Sequence, residues 1–483
     1  MNRKRDHAIV VGASIAGLLA ARVLADHFRQ VTLLERDRLP DTPSARSGVP
    51  QARHAHVLLV RGRMILEGFF PGLVDELTAD GAILFDSAAD AMFMSPLGWL
   101  PRFQTGLMTV SCSRDLLEWH IRRRLAAHPN VHFTQQAEVT GLIPVQATVG
   151  AVGGIPASVV GVTVRSRGPA RPSAAESIRA DLVVDATGRS SHAPAWMASL
   201  GFQQPRETLV NSHLAYATCT YMAPDFERDW KVATIEAQPP DLTRAGAILP
   251  IEGGRWMVTL AGYCGDYPPL DEAGFMEYAH SLAHPLIFEA LQGARPLTSI
   301  VGYQRTENHM RHYEELPRWP EGFVITGDAV CGFNPIYGQG MTNAAIGATI
   351  LDGVLRQEGA QLAPRFQKLL AKHNTTPWLL ATNEDFRFPA TEGDRPRRGT
   401  WLIQRYIDRV IVASLTRRDL FLAFFSVAHM LAGPVSLFRP AVMARVLWHA
   451  LAQGSRAAEA EVPTRLIEAP SVSQAPTRRA PKP

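Results

Sequence analysis

Residues 7–36 read HAIVVGASIAGLLAARVLADHFRQVTLLER, and the order of residue types within them decides the fold. His7 to Val11 is a short apolar run of strand type, GASIAG is a tight turn, and Ile15 to about Phe28 has the small-residue amphipathic pattern of a helix. A second strand-like run, Val31 to Leu34, ends on Glu35. This is the order of a mononucleotide-binding βαβ unit. Gly12 permits the turn, and Gly17 lets the helix sit close to the strand. The helix start then offers unpaired N–H groups and a partial positive charge to a pyrophosphate. Glu35, eighteen residues after Gly17, is placed to accept hydrogen bonds from an adenosine ribose. Ser14 stands where the GxGxxG pattern has its middle glycine; it is small and can itself donate. Taken alone, the stretch also fits a buried strand–helix pair in some other α/β protein. The basic residues before it resemble a secretory signal, but Glu35 at the end of the second strand argues against that.

At 483 residues the chain is long enough for two or more units with sizeable cores. Lys and Arg total 49 against 45 Asp and Glu, spread along the chain, so no nucleic-acid footprint appears. Cys112, Cys219, Cys264 and Cys331 are far apart, with no zinc spacing, and fit a reducing cytoplasm.

Beyond Glu35, prolines 40, 43 and 50 keep the chain out of helix while Arg46, Arg53, His54 and His56 crowd together. No carboxylate or cysteine lies at ligand spacing from the histidines, so no metal site is expected. The segment reads as an ordered loop that lays arginines along phosphates, or as a solvated basic loop. A helix is expected from about Ala55 to Phe69, short strands between Gly81 and Val110, and a helix through Leu125 capped by Ser113. Strands follow at Val131 to Glu138 and Gly161 to Val164 around a hairpin excursion, then a buried strand at Leu182 to Val184 with a turn at Ala186-Thr187-Gly188. From Asn211 to about Gly302, apolar and polar residues alternate as in an antiparallel sheet, closed by a helix from about Asp271 to Leu291. A second diagnostic stretch, GFVITGDAVCGFNPIYGQGMTNAAIGATILDGVL, puts Asp328 at a strand end and Pro335, Gly338 and Gly340 in an irregular loop before a helix from about Met341. An acid at a strand end beside a glycine-rich helix start suits a polyol chain next to an electron-rich ring. Near the C-terminus, Asp419 to Phe438 is apolar between arginines, and is best read as a buried or pocket-lining helix. An interfacial membrane contact through 419–438 is the alternative. The Ala/Pro/Arg/Ser-rich end from Gly454 has the composition of a disordered tail.

With these stretches placed, the chain resembles FAD-dependent monooxygenases of the aromatic-hydroxylase (PHBH-like) superfamily. GASIAG with Glu35 resembles their ADP-binding motif, GDAVCGFNPIYGQGMTNAA their second FAD motif, and DATGRSS the motif between. RSGVPQARHAHVLLVRG, CSRDLLEW, LPIEGGRWMVTLAG and FNPIYGQGM are most similar to flavin epoxidases of polyether-antibiotic biosynthesis, of the monensin and lasalocid type. The resemblance implies an α/β fold: a Rossmann-like, glutathione-reductase-type FAD-binding domain with an inserted, mainly antiparallel substrate-binding sheet and a C-terminal helical region. The expected boundaries are 1–80, 111–200 and 303–385 for the first, 81–110 and 201–302 for the second, 386–453 for the helices and 454–483 for the tail. It further implies FAD contacts from Gly12, Ala13, Ser14, Ile15, Gly17, Glu35, Arg36, Arg114 and Asp328, with Arg46 and Arg53 as weaker carry-overs. Pro335, Gly338, Gln339, Gly340 and Met341 would line the isoalloxazine.

The reaction implied is insertion of one oxygen atom from O2 by way of a flavin C4a-hydroperoxide, with an apolar polyketide or terpenoid olefin as the expected substrate. NAD(P)H would supply electrons directly or through a separate flavin reductase, because Thr187 replaces an aspartate tied to pyridine-nucleotide use in the family. Oxygen transfer to an alkene needs no side-chain base, whereas hydroxylating a phenol benefits from one; no such base, and no catalytic residue, is identified. Aromatic hydroxylation, an isoprenoid reductase or dehydrogenase, and a non-catalytic flavin-holding partner at a membrane remain alternatives. Halogenation is disfavoured, since there is no WxW segment and no lysine between Lys4 and Lys231.

Overall fold

A computed structural model describes residues 5–145, 158–168, 175–357, 361–395 and 399–457, with side chains to residue 452. The apolar run of Arg5–Val11 becomes the centre of a five-stranded sheet in the order Phe323–Ile325, Leu182–Asp185, Arg5–Val11, Phe28–Glu35, Val131–Gln135. Every pairing in it is parallel. Ile9, Val10, Val183, Val324 and Ile325 are wholly shielded, as expected of a sheet covered on both faces. Register aligns Val11 with Leu34 and Asp185, and Asp185 with Ile325, so the loops after four strands leave from one edge. In an open parallel sheet, that carboxyl edge is where ligands bind.

Helices Ile15–His27 and Gly340–Leu355 lie against this sheet, their apolar faces merging into one core through Leu18, Leu24, Ala345 and Leu351. Each starts close to the expected position. The helix after Ser113 runs Arg114–Ala126, and the Ser113 hydroxyl accepts from the Leu116 N–H at 3.1 Å, which makes it the expected cap.

An eight-stranded sheet forms the second layer. Ala215–Met222, Arg244–Ile251 and Arg255–Gly262 pair antiparallel at its centre, and Val232–Ile235 joins Ala91–Ser95 in parallel at one side. One face is sealed by helices Glu272–His280 and Leu286–Leu291 over Trp256, Val258, Phe275 and Ile287. The expected single helix over Asp271 to Leu291 is thus two, because Pro285 caps a new helix rather than continuing the old one. Glu207–Asn211 does not join this sheet. It pairs with Asn308–Arg311 and Glu392–Gly393 in a separate four-stranded one.

The expected Ala55 helix begins only at Val60. Residues 54–59 stay extended because His54 and the Ala55 N–H bond to Thr218 and Thr259 of the large sheet, a pull that local pattern does not reveal. At the C-terminal end come helices Thr400–Ser414, Arg418–Ala428 and Pro440–Ala457. The apolar run 419–438 is split: its helix stops at Ala428, Met430 turns at φ 59°, and a short turn of helix follows at Pro434–Phe438. No helix among the described residues is long and apolar enough to cross a membrane. The hairpin excursion expected between residues 138 and 161 falls largely on 146–157, outside the described residues, as does 458–483.

Candidate active site

The carboxyl edge of the parallel sheet gathers most of the residues singled out from sequence. Gly12 turns at φ 98°, and a Cβ there would lie 2.8 Å from the Ala186 carbonyl oxygen of the neighbouring DATG turn. A Cβ on Gly17 would lie 1.8 Å from the Gly12 oxygen, so the helix is seated against the turn as only glycine allows. Ser14 occupies the cap position of Ile15–His27 without capping it, and the first turn holds no acid. Its hydroxyl instead donates to Glu118 (3.0 Å) and accepts from Arg114 (2.8 Å). The helix start keeps its partial positive charge free for an anion.

Around it lies a buried charge cluster. Glu35 accepts the Ala13 N–H at 2.8 Å on one oxygen and the Asp37 N–H at 3.0 Å on the other. Arg46 reaches Glu35 (3.1 Å), Asp37 (3.3 Å), Glu118 (2.9 Å) and the Ala13 carbonyl (3.1 Å). Burial works against the charge on Arg46, but Glu118 and Glu35 outweigh it and hold its pKa up. Burial likewise pushes against ionised Glu118, and Arg114 and Arg46 more than compensate, so its carboxyl sits below the ordinary range. Arg114 meets Glu118 at 3.3 Å, while its Nε is buried without a hydrogen-bond partner. Asp115, on the same helix, is pushed up to about 6 by burial and by Glu118. Glu118 was not singled out from sequence; its position four residues after Arg114 on one helix face is the signal that could have found it. Arg36 and Arg53 are exposed, outside this cluster.

The second diagnostic stretch arrives at the same edge. Gly327 packs so close to the first helix that a Cβ would be 2.8 Å from that of Ala16. Asp328 follows, its side chain 39% exposed and its nearest cation Arg189 at 3.9 Å. Shielding from water raises its pKa, and Arg189 and Arg114 act in the other direction. Arg189 also donates to the Glu307 and Phe333 carbonyls, tying the DATG motif to the strand after Asp328. It too went unnoticed, because its partners are more than a hundred residues away.

The loop beyond is held from below by a buried carboxylate. Asp385, fully shielded, accepts from Asn308 (2.6 Å), Asn334 (3.1 Å) and the Tyr337 hydroxyl (2.7 Å). Burial pushes its pKa up to about 6 against those hydrogen bonds. Pro335 and Gly340 stay exposed, Gly338 turns at φ 64°, and Gln339 and Met341 are buried. Gln339 Oε1, Thr342 Oγ1 and Asn343 Nδ2 at the start of Gly340–Leu355 are buried with no hydrogen-bond partner.

Between the two halves runs the His54–Val57 segment. Val57 lies beside Gly338, and His56 is close enough to Arg114 to be discouraged from protonating. Burial, then Arg114, lowers His56 to about 3; burial, then Arg53, lowers His54 to about 4. His54 is bonded to Thr218 (2.8 Å), which is bonded to Thr259 (2.7 Å), with the rings of Tyr216 and Tyr303 alongside. Behind them Leu214, Ala261, Tyr263 and Phe388 make an apolar patch against which Ile336 of the loop packs.

The donor set fits a dinucleotide with a polyol and a ring. It offers cationic and N–H donors for a pyrophosphate, carboxylates for hydroxyls, glycines for close approach, and buried polar atoms without partners at the second helix start.

No protein-family model matches the chain. A solved flavoprotein/dehydrogenase from Cytophaga hutchinsonii shares the fold, with a TM-score of 0.62 and 16% identity over 94% of this chain and all of that one. Kynurenine 3-monooxygenase of Salinispora arenicola is 26% identical over 385 residues, 74% of this chain and 73% of that protein. Protein Rv3254 of Mycobacterium tuberculosis is 33% identical over 403 residues, 81% of this chain and 83% of that protein. At that identity and coverage, this chain belongs to the same family as Protein Rv3254.

Proposed function

We propose that the chain is an FAD-dependent monooxygenase that epoxidises an olefin of an apolar natural product, a polyketide or terpenoid intermediate. The observation that carries the reading is that Gly327 packs against Ala16 of the first helix, with Arg114 acting on the adjoining Asp328, while Ile336 of the following loop packs on an aromatic sheet face. In this reading the start of Ile15–His27, Arg46 and Arg114 hold the pyrophosphate, Glu35 and Asp328 accept from sugar and ribityl hydroxyls, and the Pro335–Met341 loop lines the ring. FAD bound there supplies the activation of O2 and the transfer of one oxygen atom. The protein orients the alkene, keeps water out, and presents a positive helix end near developing negative charge on the ring. The relation to a kynurenine monooxygenase supports the oxygenase class.

The neutral histidines favour an olefin over a phenol. At about 3 and 4, His56 and His54 are poor bases near neutral pH, and each ring nitrogen facing the protein is already engaged. Ionising a phenol through either histidine would ask it to accept a proton that its burial disfavours. Thr187 donates its hydroxyl to Asp185 at 2.7 Å, turned into its own loop, and NAD(P)H supplies the electrons either directly or through a separate flavin reductase.

The test is mass spectrometry of products from candidate polyene and terpenoid olefins with externally reduced FAD and oxygen. Substrate-stimulated oxygen uptake and a product gaining one oxygen as an epoxide are expected. A phenol, a desaturated product or no turnover would reject the epoxidase assignment. A companion measurement is flavin content of Asp328→Ala. Losing a charged acceptor for hydroxyls weakens FAD binding by roughly 10- to 100-fold, so the variant should purify nearly colourless. Wild-type occupancy would remove Asp328 from the ribityl role.

A further inference from the structure

The three C-terminal helices bury little among themselves. Val410, Ala413, Leu420, Val427, Leu437 and Val446 form their small core. Phe421 and Phe425 point the other way, onto Ala88 and Leu100, and so fasten the bundle to the body of the protein. Among the described residues, several large apolar side chains of the bundle face water. On Pro440–Ala457, Met443 and Leu447 follow at helical spacing with Trp448 beside them, the last two 51% and 70% exposed, while Val446 turns into the bundle core. Val435, in the turn just before, is 80% exposed. Trp401, Leu402 and Ile403 open the Thr400–Ser414 helix, each at least half exposed. The ring of Phe438 lies 4.8 Å from that of Tyr406, tilted by 35°, which brings the middle of that helix beside the turn that precedes the last one. Large exposed apolar side chains gathered on one element mark a contact surface.

The charge around this surface selects the partner. Residues 400–452 contain six arginines, no lysine and two aspartates, a net +4 that equals the excess of the whole chain. Both aspartates are neutralised within the protein: Asp408 by Arg387, and Asp419 by Arg417 and Arg445. Arg405, Arg409 and Arg439 remain exposed, Arg405 over the ring of Trp401, while Arg418 lies over Phe103 on the side of the body. A second copy of the chain would bring the same positive charge to the interface, whereas an anionic lipid surface is complementary to it. Arginine stems can lie along the apolar face with their heads at the phosphates, and tryptophan suits the boundary between headgroups and acyl chains.

We propose that the exposed face of Pro440–Ala457, with Val435 and the first turn of Thr400–Ser414, seats the protein on the surface of an anionic lipid bilayer without crossing it. The apolar side chains enter the boundary region and the arginines take the headgroup phosphates. The helix 418–428, whose Phe421 and Phe425 face inward, is the strut behind that surface. The proposal stands apart from the oxygenase reading, because its residues touch none of the candidate cofactor groups.

The experiment is co-sedimentation of the full-length, flavin-loaded chain with vesicles of phosphatidylglycerol and phosphatidylcholine in equal parts, and with phosphatidylcholine alone. Binding to the anionic vesicles should be at least about tenfold stronger and should fall as salt is raised. Leu447→Ser combined with Trp448→Ser should cut it by roughly a further tenfold, with circular dichroism and bound flavin as in the wild type. Failure to bind anionic vesicles, equal binding to both kinds, or full binding by the double variant would each overturn the proposal. A dimer in light scattering that the double variant dissolves, with no vesicle binding, would overturn it in favour of a second copy of the chain.

Discussion

Arg46→Met is expected to lose about 3–5 kcal/mol of stability at neutral pH, the cost of breaking a buried ion network by removing one partner. The Arg46 side chain is 8% exposed, and its guanidinium is shared by Glu35, Asp37 and Glu118. Glu35 keeps two backbone N–H donors, and Asp37 keeps the Gly48 N–H, so the loss falls mainly on Glu118. In the wild type its folded pKa lies below the ordinary value of 4.5, so it contributes stability that is present above that pH and lost as pH falls through the folded value. Without Arg46, burial acts on Glu118 with only Arg114 and the Ser14 hydroxyl in opposition, and the folded pKa is expected to rise above 4.5. Stability then declines as pH increases past 4.5, because the unfolded chain ionises more easily. The gap between wild type and variant should therefore be small near pH 4 and widen towards pH 7. Adding Glu118→Gln removes the stranded charge and should recover at least about 1 kcal/mol at pH 7. Urea denaturation at fixed FAD concentration measures all three proteins. A gap that does not change with pH would mean the carboxylates do not depend on Arg46 for their charge.

The contrast between Arg46 and its neighbours shows what sequence could reveal about this site. Gly12, Gly17, Glu35 and Asp328 are legible because their roles are local: a turn, a close approach, or a place at the end of a strand that its own apolar run defines. Arg46 is legible as one arginine of a proline-interrupted basic loop, but nothing in its surroundings says which carboxylates it will meet. Glu118, 72 residues further on, supplies the strongest of those contacts and looks like an ordinary helix residue until Ser14 and Arg46 fold against it. Asp385 is more hidden still. A carboxylate near the end of a 24-residue helix gives no sign that Asn308, Asn334 and Tyr337 will converge on it and fix the loop. The extended conformation of residues 54–59 has the same origin, a side-chain bond to a sheet more than 160 residues away that overrides a helical pattern. The 419–438 segment fails differently. Its composition is mostly apolar, but the left-handed turn at Met430 divides it between a largely buried helix and a more exposed turn. Hydropathy summed over a window cannot see a turn of that kind.

Gly17→Ala is expected to cost at least about 1–3 kcal/mol and to strip the protein of flavin together with its stability. The added carbon would sit 1.8 Å from the Gly12 oxygen and 2.9 Å from its carbonyl carbon, both backbone atoms that no rotamer change can move aside. Gly12 cannot retreat, since it is held at φ 98°, its N–H donates to Leu34, and the Ala186 carbonyl stands behind it. The helix Ile15–His27 must therefore lift away from the strand, carrying with it the N–H groups that would face the pyrophosphate. Gly353→Ala is the matched control. It lies in the last turn of Gly340–Leu355, a Cβ there meets nothing within 4 Å, and the change should stabilise by up to about 1 kcal/mol. The same substitution thus has opposite signs at two helical glycines, and only the first should release FAD. Urea midpoints and the flavin absorbance of the purified proteins separate the outcomes. If Gly17→Ala kept both its midpoint and its colour, the first helix could not be seated against the turn at Gly12. The anion site built on that contact would then have to be placed elsewhere in the chain.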